Sequence, residues 1–150
     1  MTFPGWERRI NMKMTKPEMT IGLIIGVVGG ILTILATVLP WVSVPGSGII
    51  STDVMGLLTG FGTIVLVIGI LGLVLALLSK GLLTILCGIL SLLITFFWYG
   101  ALSFISSWFV VIGDTTSMGY GTFIAFIGAI LLIIGGIMIN EETKAVMTPA

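Results

Sequence analysis

The chain has 150 residues, 57% of them hydrophobic and 8% charged, with six cationic and six acidic side chains and a net charge of zero. A water-soluble domain of that length cannot bury so much apolar surface and still cover itself with polar groups, so the composition excludes an ordinary soluble fold. Zero net charge leaves no electrostatic case for nucleic acid. The lack of histidine removes the commonest metal ligand and acid–base group, and the single cysteine, Cys87, forms no internal disulfide.

Four apolar runs, roughly residues 20–39, 57–78, 82–99 and 122–139, contain no charge of either sign. Each is near the ~20 residues needed to cross ~30 Å of hydrocarbon. Arg8, Arg9, Lys13 and Lys16 precede the first run, Lys80 separates the second and third, and Lys144 follows the fourth. The other two connections carry only Asp53 and Asp114. Cations confined to one side are the signature of a four-span protein of the cell membrane with both termini in the cytoplasm. The whole chain, 1–150, then forms a single integral membrane domain.

Residues 1–14 read as a cytoplasmic tail, with Trp6 placed to dip into the interface and its basic residues setting the topology. Thr15-Lys16-Pro17-Glu18 has the form of a capping box and predicts a first span over 16–39, stopped by Pro40. This run is too long for the core of a signal peptide, and Pro40-Trp41 stands where small residues would be needed, so no cleavage is expected. The outer segment 40–53 has two β-favouring stretches around Pro-Gly-Ser-Gly and predicts a hairpin over 41–52, with Trp41 at the outer membrane face.

Thr52 or Asp53 is the expected N-cap of a second span, 54–78, and Ser79-Lys80-Gly81 a tight inner turn into a third, 82–105. From Leu82 to Gly113 there is no charge, which is too long for one upright span and too short for two. Trp98 and Tyr99 resemble an interface belt. Beyond them, Phe-Val-Val-Ile predicts a strand at 108–112 that pairs with the hairpin edge as part of a small extracytoplasmic β cap. An interfacial amphipathic helix is the alternative for 106–112. The second outer segment, 106–120, ends in a glycine-punctuated loop, followed by a fourth span, 121–140, and a cytoplasmic tail, 141–150.

Small residues recur along every span at alternating steps of three and four. The stripes are Gly22, Gly26, Gly29, Thr33 and Ala36; Gly62, Gly69, Gly72 and Ala76, with Val65 filling a step; Gly81, Thr84, Gly88, Ser91 and Thr95; and Gly121, Ala125, Gly128 and Gly135, with Leu132 filling a step. In lipid, helices associate through close backbone approach, so small residues line their contacts. A period near 3.5 keeps such a seam facing its partner in a left-handed bundle. Gly22, Gly26 and Gly30 also have the spacing of a dimer face.

Chemistry-bearing groups are scarce. The spans hold no ionisable side chain of the kind that binds ions or relays protons, and no mid-span proline that would break a helix. Asp53 and Asp114, the only outer acids, fall short of the six or more oxygens that calcium takes. No nucleophile stands with a base, and Cys87 lies at lipid depth. No catalytic residue, metal or cofactor is expected. The outer side instead collects Trp41, Ile49, Ile50, Trp98, Trp108, Phe109 and Tyr120 as a candidate contact surface.

The four-span plan with a short inner turn, Trp41 just past the first span and Gly56-Leu57-Leu58 before the second resembles claudin-like and tetraspanin-like proteins. The two cysteines of the claudin pattern are missing, and Leu58 stands at its tryptophan position. This resemblance of topology implies a non-enzymatic scaffold that associates laterally. The expected function is accordingly a structural or accessory subunit. Its partners are membrane lipid and other membrane proteins or further copies of itself. A small homo-oligomeric channel or transporter for a neutral or apolar solute is the alternative.

Overall fold

Local sequence decides where each helix begins and ends. In the computed structural model, which describes residues 20–44, 52–110 and 117–147, α1 spans Ile21–Val38. Its N-cap, Thr20, is extended, so the helix starts later than the 16 expected, and the capping box Thr15–Glu18 lies outside the described residues. α1 stops because Leu39 precedes Pro40, and the proline ring pushes the residue before it into the extended region where Leu39 is found.

Strand β1 (Pro40–Val44) pairs antiparallel with β2 (Thr52–Met55) and with β3 (Ser117–Met118), giving a three-stranded sheet in the order β2-β1-β3. Two expectations are corrected here. The second strand of the hairpin reaches Met55 instead of ending at 52, so Asp53 lies in β2 opposite Ser43 and caps no helix. The third strand is Ser117–Met118, not 108–112: α3 (Gly81–Val110) is still helical at 108–110, and 111 and 112 lie outside the described residues. The β preference of Phe-Val-Val is a weak, context-dependent bias. Extending an established helix adds a backbone hydrogen bond per residue without a new nucleation cost.

α2 (Gly60–Leu77) begins six residues after the expected Val54, because 52–55 are drawn into the sheet and Gly56–Leu58 form a 3-10 turn. The cap is Thr59, whose hydroxyl accepts from the Gly62 N–H at 3.0 Å and donates to the Gly56 carbonyl at 2.6 Å. Ser79 then closes α2 with a left-handed φ of 53°. The Lys80 N–H reaches the Leu75 carbonyl and the Ser79 N–H the Ala76 carbonyl, both at 2.9 Å, which is the Schellman pattern.

α3 has 30 residues, a rod of about 45 Å. α4 (Tyr120–Met147) passes the expected stop at Asn140 and runs through Glu141, Glu142 and Lys144, good helix formers with no glycine or proline among them.

Each of the four helices contains a stretch long and apolar enough to span a membrane. Around the bundle, each packs against its two neighbours in sequence order, with α4 closing back on α1; α1 and α4 are the tightest pair and α2 barely touches α4. The sheet caps the end where α1 finishes and α2 and α4 begin. The Ser79–Lys80 turn lies at the other end.

Candidate functional site

At the sheet end, a proline and a tryptophan create one polar junction. In a regular helix the Ala36 carbonyl would accept from the N–H of residue 40, but Pro40 has none. The indole Nε1 of Trp41 donates to that carbonyl instead, at 2.8 Å, and the Leu39 N–H adds a longer bond at 3.3 Å. Trp41 can turn inward because the β1–β2 ladder is bulged between Pro40 and Val42. Regular alternation would place Trp41 and Val42 on opposite faces, whereas here both are buried. The Trp41 carbonyl also accepts from the Gly119 N–H at 3.0 Å and the Thr122 hydroxyl at 3.4 Å, tying the start of α4 to β1.

Two glycines leave room for this ring, and a third packs behind one of them. A Cβ at Gly56 would collide with the Trp41 indole, and one at Gly121 would sit 2.5 Å from its Cδ1. Gly62 lies directly against the Gly56 carbonyl. Ala36, Val65 and Ala125 complete the packing around Trp41, which is 0% exposed. Trp41 is therefore a core residue and not part of an outer contact surface, which corrects the sequence expectation. Aromatic-belt reasoning places tryptophan at the membrane face but does not register a bulge that rotates it inward.

Beyond Trp41 lies a partly open aromatic cleft between α2 and α3. The Trp41 and Trp98 rings are 6.3 Å apart, Phe61 and Trp98 5.1 Å, and Phe61 and Phe97 5.9 Å. Phe61 divides the cleft. On one side a hollow of about 640 Å³ runs along Leu93, Phe97, Gly100, Ala101 and Phe104. On the other, one of about 440 Å³ is lined by Thr59, Gly60, Ile64 and Trp98. The indole Nε1 of Trp98 is shielded from solvent and has no hydrogen-bond partner.

Of the remaining residues of the expected contact surface, Trp98 lines the cleft just described. Tyr120 is 80% exposed. Ile49 and Ile50 lie outside the described residues. Trp108 and Phe109 belong to α3, but their side chains lie outside what is described.

The small-residue stripes face inward, toward one another. Gly22 lies on Met138 and Ile139, Gly29 on the backbone of Leu132 and Gly128, and Gly135 on Gly26, so α1 and α4 meet backbone to backbone. Gly69 faces Thr33, and Gly72 faces Leu132. Gly81 lies on Gly136 and Asn140, Gly88 on Ala129 and Ile133, and Gly128 on Thr33. Gly62, Ser91, Gly121 and Ala125 are also buried. The Ser91 hydroxyl has no partner, whereas Thr33 and Thr95 each donate to the carbonyl four residues back at 2.8 Å.

Sequence reasoning placed Gly30 only in a dimer face with Gly22 and Gly26, whereas it lies against Leu73 within the chain, and it missed Gly136, against Gly81 and Ile85. Their doubling with Gly29 and Gly135 was the available signal. It also missed that Gly60 and Gly100 differ from the rest, because an added Cβ at either meets nothing within 4 Å. Among the described residues no cluster of His, Cys, Asp or Glu has the makings of a metal site.

Comparison with known proteins finds no matching family and no matching characterised relative.

Proposed function

We propose that this chain is a non-enzymatic, multi-pass protein of the cell membrane, with both termini cytoplasmic, serving as an accessory or scaffold subunit for other membrane proteins. The observation that carries this reading is the close packing of the bundle on itself. Glycine meets backbone along the α1–α4 and α3–α4 seams, and Val65 and Leu132, both 0% exposed, fill the middle. Among the described residues, such an interior supplies a rigid body and no lining for a solute. The spans hold no ionisable side chain to couple to an ion or proton. Lys80 and Lys144 lie at the same end of the bundle, opposite the sheet, which supports a cytoplasmic turn end.

Because the stripes are consumed within the chain, partners are left the outward faces. α2 and α3 have the most to offer: 33% and 28% of their spans are buried, against 44% for α1 and for α4. Ile64, Val67 and Leu71 on α2 and Leu82, Leu86 and Leu93 on α3 are among their exposed apolar residues.

The test is gentle extraction of the tagged full chain from its native membrane, followed by sizing and mass-spectrometric identification of co-purifying proteins. A defined complex with a stoichiometric partner is expected. A ring of identical copies that passes a neutral solute in liposomes, or a monomer with no partner, overturns the proposal.

A further inference from the structure

We draw no further inference here: the strongest candidate, the hollow of about 220 Å³ at the turn end of the bundle lined by Ser79, Lys80, Gly81, Asn140 and Thr143, rests on the N-terminus of α3 and the exposed Lys80, and the buried polar groups without a partner among the described residues, the Ser91 hydroxyl and the Trp98 indole, do not line it.

Discussion

The Trp41 indole donates to the Ala36 carbonyl at 2.8 Å and so supplies the hydrogen bond that Pro40 cannot. A strand residue thereby completes the helix that precedes it. Trp41→Phe keeps most of the ring but removes this donor, leaving only the longer Leu39 contact, and should lower stability by about 1–3 kcal/mol. Trp41→Ala also opens a cavity among Ala36, Val65 and Ala125 and should cost about 3–5 kcal/mol. Thermal unfolding in a mild detergent, read by circular dichroism, checks both; equal Tm for Trp41→Phe and the unaltered chain would show that the bond contributes nothing.

Gly26 and Gly29 lie three residues apart on the same seam but face different obstacles. A Cβ at Gly26 would meet the Ala76 Cβ at 3.2 Å, a contact that a small shift relieves. At Gly29 it would sit 2.6 Å from the Leu132 nitrogen and 2.9 Å from the Gly128 oxygen, and backbone does not yield so easily. Gly26→Ala should therefore change stability by less than about 1 kcal/mol, and Gly29→Ala should cost about 2–3 kcal/mol. Side-by-side melting curves decide the order, and a larger loss at Gly26 would contradict the α1–α4 packing described above.

Ser91 is wholly buried and its hydroxyl has no partner, in contrast to Thr33 and Thr95. Ser91→Ala removes an unsatisfied polar group at little cost in volume and should raise stability by up to about 1 kcal/mol. At Thr33, whose hydroxyl is bonded, Thr33→Ser removes a packed methyl group and Thr33→Ala also removes the hydroxyl, and stability should fall at each step. A stabilised Thr33→Ala would remove the distinction between the two sites.

Ser79 holds a φ of 53°, where glycine is the usual choice. Ser79→Gly relieves the Cβ strain of the Schellman turn and should stabilise by about 0.5–1 kcal/mol. Ser79→Val, branched at the same position, should lose more than that. Chemical denaturation with a graded denaturing detergent gives the sign of each.

Hydropathy, charge and the spacing of small residues carried the helix count and the inward faces. Val65 and Leu132 were readable as the large residues standing in otherwise small stripes, and both are fully buried. The end of the bundle was harder to read, because local preference and tertiary context disagree there. Thr52, Asp53 and Thr59 are all sound helix caps by residue type. Only the pairing of 52–55 with β1 leaves Thr59 as the cap that is used. Phe109 and Val110 favour strands in isolation but continue α3. Trp41 has the same composition-level signature as an interface anchor, and the bulge that buries it is a property of strand register. Gly60 and Gly100 are indistinguishable by type from Gly29 or Gly88; what separates them is whether a neighbour occupies the missing Cβ.

The irregularity between Pro40 and Val42 makes the residue count of this short ribbon a determinant of the whole bundle. One extra residue in β1 puts an indole under the helix ends while its neighbours keep their partners in β2 and β3. Deleting a single residue from 40–44 would restore simple alternation and hand the inward position to a different side chain. The chain would retain its hydropathy profile and all four apolar stretches, yet the Ala36 carbonyl would lose its donor and Gly56 and Gly121 would border an empty space. Hydropathy tolerates shifts of several residues; the junction between α1 and the sheet tolerates none.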